Sequence, residues 1–142
     1  MSQISELIAF TKANGTNTYK EINFGNVPNF QAQEINSSTG IKVNGAKKIL
    51  NNYAVAHIFK EHGNDFEQRE RGQKGITDAD IELIPKILSE YDAVAKGSNN
   101  SRGKQAIVFK KQISIYKYFL VMSVDAKSDK VNLFVNTMYA KR

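Results

Sequence analysis

His57 and His62 are the only side chains here whose ordinary titration lies near neutral pH, because the 142 residues include no cysteine. They sit five positions apart in Tyr53-Ala54-Val55-Ala56-His57-Ile58-Phe59-Lys60-Glu61-His62-Gly63. Two imidazoles on one helix chelate an ion best at i and i+4. At i and i+5 they point roughly 140° apart on an ideal helix. With no thiolate and no HExxH pattern, the spacing argues against a metal centre. It suits acid–base work better. In RNA cleavage one imidazole takes the proton of the 2′-hydroxyl and another protonates the leaving 5′-oxygen, without a metal. A cation or hydroxyl then stabilises charge on the phosphate oxygens.

The far end of the chain offers such groups. By period two, Val131, Leu133, Val135, Thr137 and Tyr139 share one strand face. The first three read as core, and Thr137 and Tyr139 as polar tips where the core face opens. Lys110, at the end of an earlier strand, can supply positive charge, as can Lys141, Arg142 and Arg102. Arg102, Lys104, Lys111, Lys141 and Arg142 are the candidate RNA contacts. Each also has a bland structural reading: a histidine at a helix end commonly bonds a last-turn carbonyl, and threonine and tyrosine are ordinary strand residues.

Charge points the same way. Of the net +6, residues 1–101 contribute −1 (11 Lys/Arg, 12 Asp/Glu) and residues 102–142 contribute +7 (9 Lys/Arg, 2 Asp/Glu). An excess confined to one segment points to a polyanionic partner. No apolar run approaches the roughly 20 residues of a membrane span. The N-terminus lacks the basic start and long apolar stretch of a signal peptide, so delivery by a larger parent protein or a phage is the expectation.

Several elements must position these groups. Ile4, Leu7 and Ile8 form a short helical stripe that Asn14-Gly15 ends. Thr18 to Phe24 alternates like a short strand, and Phe30 to Asn36 reads as one or two helical turns. Ser37 to Gly40 reads as a loop. A longer helix is expected from an Asn44 cap to Gly63, carrying both histidines, followed by a polar loop over residues 64–75. Thr77-Asp78-Ala79-Asp80 opens the clearest helix, with Ile81, Ile84, Ile87 and Leu88 as its stripe and a break at Pro85. From Ala106 the period becomes two, over Ala106–Lys110, Ser114–Val124 and Lys130–Tyr139, with a turn at Lys111-Gln112. Ala93 to Lys96 supplies a fourth strand. The fold class is α+β, with N-terminal helices packed on one face of an antiparallel sheet of about four strands. One domain is expected over 1–142, residues 1–18 being a helical extension ahead of a 19–142 core.

Six pieces occur in order: Tyr19-Lys20-Glu21-Ile22-Asn23-Phe24-Gly25, Thr39-Gly40, Ala56 to Gly63, Arg71-Gly72-Gln73, Ile76-Thr77-Asp78-Ala79-Asp80-Ile81, and Asn136-Thr137-Met138-Tyr139. This set resembles the barnase/EndoU/colicin/RelE-like endoribonuclease group, in its phage-associated branch of head-morphogenesis proteins and bacterial toxins. The resemblance implies helices packed on a curved four-stranded antiparallel sheet and a ribonuclease that needs no cofactor, using two histidines, a lysine, for which Lys110 is the candidate, a Ser/Thr and a tyrosine. It makes His57 and His62 the general base and acid, in either order. Thr137 and Tyr139 become phosphate or base contacts. The expected function is a metal-independent endoribonuclease, a toxin or phage-delivered effector cutting tRNA or other RNA in the cytoplasm of a target or host bacterium. An acidic immunity or antitoxin protein is the expected partner. The alternatives are an inactive RNA- or protein-binding module of the same fold, or a structural phage accessory domain.

Overall fold

The computed structural model describes residues 2–99, 103–127 and 130–142. The chain runs α1 (Gln3–Asn14), β1 (Glu21–Asn26), α2 (Asn29–Thr39), β2 (Lys47–Asn51), α3 (Asn52–His62), α4 (Asp65–Glu70), β3 (Gln73–Lys74), α5 (Asp78–Ile81), α6 (Ile84–Ser89), β4 (Ala93–Lys96), β5 (Ala106–Ile113), β6 (Tyr116–Lys127) and β7 (Lys130–Lys141). The class is α+β. The sheet has seven strands rather than about four, in the order β1-β2-β7-β6-β5-β4, with β3 also paired to β7.

The expected antiparallel group is β4 to β7, where β-branched and aromatic residues alternate with polar ones. The expected turn at Lys111-Gln112 is instead strand. β5 continues to Ile113, and the chain turns at Ser114, whose φ of 56° is left-handed. β2 was hidden inside the expected Asn44 helix. It runs parallel to β7, pairing Lys47 with Asn132 and Ile49 with Phe134, and passes into α3 without a turn. Residues 64–75 are α4 and β3 rather than one loop. Ser37 to Thr39 close α2, and Gly40 (φ 76°) ends it.

The helices cover one sheet face. Leu7, Ile35, Val55, Ile58, Ile81, Ile84 and Ile87 pack in a single cluster with Phe109, Leu120, Met122, Leu133 and Met138. Each such side chain is worth about 1.5–3 kcal/mol when fully buried. Helix α1, expected as an extension, places Leu7 at full burial in this same cluster. Thr77 caps α5 with a reciprocal Asp80 bond, and the chain breaks before α6, with Pro85 in its first turn.

One irregularity in β7 decides the site. Met122 pairs with Val135, but the adjacent Val121 pairs with Thr137, so Asn136 is an extra residue in the strand. A bulge shifts the alternation by one. Val131, Leu133 and Val135 therefore share the core face with Met138 and Ala140, not with Thr137 and Tyr139 as period two implied. Thr137 and Tyr139 turn to the sheet face opposite the helical core.

Candidate functional site

Helix α3 runs beside β7 where β2 has ended and β3 has not begun. The Asn51 side chain caps it, accepting from the Ala54 N–H at 2.8 Å. Asn52, fully buried, donates to the Gly15 and Thr18 carbonyls at 2.9 and 2.8 Å and accepts from the Lys20 N–H at 2.9 Å. Val55 and Ile58 face the core, which leaves His57 exposed on the other side of the helix.

His62 is the last residue of α3, and Gly63 closes the helix with an N–H bond to the Phe59 carbonyl at 3.0 Å. The half-buried His62 ring lies 5.7 Å from the Tyr139 ring, tilted by 31°. Tyr139 in turn stacks on Phe119 at 4.8 Å and 10°. Around Phe119, the ammonium groups of Lys141, Lys117 and Lys110 stand 5.3, 5.6 and 6.0 Å from the ring centre. Cross-strand register brings them there: Phe119 lies opposite Lys110 on one side and Tyr139 on the other, and Lys117 lies opposite Lys141. None of the three lysines shares an ion pair with a carboxylate among the described residues. Burial pushes the Tyr139 hydroxyl above its ordinary pKa, and a phenol O–H can donate a hydrogen bond.

His57 belongs to a neighbouring station. It lines an open cavity of about 700 Å³ with Asn51, Tyr53, Lys104, Ser123, Asp125, Phe134 and Asn136. Lys104 Nζ lies 3.2 Å from Asp125 Oδ1 there. Ser123 is four strand residues from Phe119, on the same face, which is about 13 Å along β6. Thr137, opposite Val121, lies between the two stations. The cavity and the aromatic–lysine cluster thus form successive parts of one strip beside α3.

The structure therefore groups His62, Tyr139, Lys110 and Lys141, and sets His57 and Lys104 further along. Lys111 falls on the opposite side of β5 from Lys110, 3.5 Å from Asp92. Arg142 pairs with Asp65 at 3.5 Å and lies over Tyr116 at 5.7 Å. Arg102 lies outside the described residues. Among the described residues, no group of three or more His, Asp or Glu side chains is placed to hold a metal ion. Phe119, Lys117, Gln68 and Asn136 are the residues that sequence reasoning passed over. Alternation around the core-facing Tyr118 and Leu120 was the available signal for the first two.

Thr137 carries its own prediction. Its hydroxyl oxygen is buried and has no hydrogen-bond partner among the described residues. A buried unpaired hydroxyl costs about 1–3 kcal/mol. Thr137→Val keeps the shape and removes that oxygen, so the variant is expected to melt at or above the parent temperature. Cleavage of RNA by the variant separates the two roles: a hydroxyl that contacts substrate lowers activity on removal, and a merely tolerated one leaves it unchanged.

Residues 25–142 match a protein-family model described as phage-Barnase-EndoU-ColicinE5/D-RelE like nuclease3. No curated protein matches, and no solved structure does.

Proposed function

Given that the chain belongs to the phage-Barnase-EndoU-ColicinE5/D-RelE like nucleases over residues 25–142, we propose that it is a metal-independent endoribonuclease. The observation that carries this reading is the His62 ring held against Tyr139 beside three lysines, none in an ion pair with a carboxylate among the described residues. A base takes the 2′-hydroxyl proton, and the 2′-oxygen bonds to phosphorus. The bond from phosphorus to the 5′-oxygen breaks, and an acid protonates that oxygen. The products are a 2′,3′-cyclic phosphate and a 5′-hydroxyl. His62 and His57 are the two proton carriers, His57 acting from the adjoining cavity. The Tyr139 hydroxyl and Lys110 offer hydrogen bonds and charge to the phosphate oxygens, which gain negative charge as the 2′-oxygen attacks. Lys117, Lys141 and Lys104 hold neighbouring phosphates.

The biological role proposed is that of a toxin or phage-delivered effector acting on tRNA or other RNA in a bacterial cytoplasm. An acidic inhibitor protein would match the basic β5–β7 surface. No helix of the described residues is long and apolar enough to cross a membrane.

Incubation of the purified protein with total tRNA in EDTA tests the reading, with 2′,3′-cyclic phosphate ends as the diagnostic product. Cleavage in EDTA is expected, and it should weaken with added salt as phosphate contacts are screened. A strict requirement for a divalent ion would sink the metal-independent mechanism. Binding of RNA without cleavage under any condition would leave an inactive binding module of the same fold.

A further inference from the structure

The two proton carriers are distinguished by what holds them. Gln68, on α4, is wholly buried although its side chain is polar. Its Nε2 donates to the Glu61 carbonyl at 3.0 Å, and its Oε1 lies 3.1 Å from His62 Nδ1. A backbone carbonyl only accepts, so the Glu61 contact fixes which end of the amide points where. The reverse orientation would set two carbonyl oxygens against each other in a buried site. The oxygen of Gln68 is therefore the atom that meets His62, and it too only accepts. Nδ1 of His62 must then carry the hydrogen. In the neutral ring this leaves Nε2 bare, and His62 makes no other hydrogen bond among the described residues.

Helix α4 is fastened so that Gln68 keeps this place. Asn64 caps it by accepting from the Glu67 N–H at 3.2 Å, and the Gln68 N–H bonds the Asn64 carbonyl at 3.0 Å. Asp65 Oδ1 accepts from the Gly75 N–H at 2.9 Å, and the Ile76 N–H bonds the His62 carbonyl at 2.8 Å. Gly75 is required there: a Cβ would lie 2.8 Å from the Asp65 backbone. His57 has no comparable orienting bond among the described residues and is exposed.

We infer that Gln68 is a positioning residue that holds neutral His62 in its Nδ1–H tautomer, so that Nε2 accepts the 2′-hydroxyl proton and His62 is the general base. The inference rests on the ribonuclease reading above and assigns a role within that site. When Nε2 takes the proton, the ring becomes an imidazolium whose Nδ1–H still bonds the Gln68 oxygen. No rearrangement is needed during the step. The acid is then the other, more accessible histidine.

Long-range proton–nitrogen correlation spectra of histidine-labelled protein read the tautomer directly, independent of activity. The expected spectrum of neutral His62 has Nδ1 protonated and Nε2 bare; the reverse overturns the assignment. Gln68→Met keeps the side-chain length and removes both bonds. It is expected to mix the tautomers and lower kcat about 10- to 100-fold, by analogy with the loss of a group that orients a metal-bound imidazole. KM should stay within about twofold, since substrate contacts remain. Gln68→Glu keeps both bonds with its buried carboxyl protonated, the O–H replacing the amide N–H toward the Glu61 carbonyl, and in that form should keep the tautomer and more of kcat than the methionine variant. An unchanged kcat in folded Gln68→Met overturns the positioning role. If that variant does not fold, the parent and Gln68→Glu spectra decide. A parent that cleaves no RNA yet shows the Nδ1–H ring would defeat the ribonuclease reading and the base role, while supporting the hold of Gln68 on the ring.

Discussion

His62→Ala is expected to lower kcat for RNA cleavage by about 10²- to 10⁴-fold, the usual contribution of a positioned proton carrier. The loss should exceed that of His57→Ala. His62 is half-buried, packed on Tyr139 and bonded to a buried amide, so neither water nor another side chain can readily take its place. His57 is exposed on an open cavity, where solvent can supply a proton to the leaving oxygen in its absence. Lys110, Lys117 and Lys141 remain in both variants, so RNA affinity should change little and the loss should fall on kcat. Removing the ring also uncovers one side of Tyr139, so His62→Gln, which fills much of that space, is the control. Thermal melts establish that each variant is folded. A His62→Ala enzyme within about tenfold of the parent would remove His62 from the chemistry and shift attention to the His57 cavity.

The sequence was most informative where a local rule acts alone. The Thr77 cap, the Ile81–Leu88 stripe broken near Pro85, and the period-two strands after Ala106 were legible because capping and alternation need no distant partner. Three features lacked such a rule. Strand β2 has only Ile49 and Leu50 as a buried pair and runs straight into a helix, so no turn residue marks its end. Helix α4 buries a glutamine while its one aromatic, Phe66, is 74% exposed, so hydropathy reads it as loop. The bulge at Asn136 inserts one residue into a strand whose composition gives no sign of it. That last feature reversed the face assigned to Thr137 and Tyr139.

The candidate site was legible only in part for the same reason. His62 and Tyr139 could be picked out by residue type and by resemblance to a known family. Phe119 and Lys117 become neighbours of that pair through the register of β5, β6 and β7, which no single stretch encodes. Tyr118, next to Phe119 in β6 but on the other face, is buried and bonded to Asp80 at 2.6 Å. The charge excess was read correctly as a property of residues 102–142, but its effect depends on face. Lys110, Lys117 and Lys141 gather on one side of the sheet, while Lys111 is bound to Asp92 on the other.

Asp80→Ala is expected to destabilise the fold by about 3–5 kcal/mol, the cost of breaking a buried, hydrogen-bonded ion pair from one side. For a chain of this length that lowers the melting temperature by about 10–20 °C. Asp80 is buried and accepts on both oxygens: from Tyr118 at 2.6 Å on Oδ1, and on Oδ2 from Lys74, from the Thr77 N–H at 2.9 Å and from the Thr77 hydroxyl at 3.1 Å. Lys74 and Tyr118 both lie opposite Ala140, one from β3 and one from β6. The carboxylate therefore clamps the two strands that flank Tyr139, from the helical side of the sheet. Burial pushes the Asp80 carboxyl up, but the bonds from Lys74, Tyr118 and the Thr77 backbone outweigh it and hold its pKa below the ordinary 3.8. A carboxylate with a folded-state pKa below its unfolded one stabilises the fold fully above the unfolded value. That share is lost as pH falls through 3.8 toward the lower folded-state value. The parent should thus lose stability in that acidic window, and Asp80→Ala should lose less there, because the linked group is gone. Melting curves collected across that range check both statements. Parallel pH dependence in the parent and the variant would show that Asp80 is not the clamp.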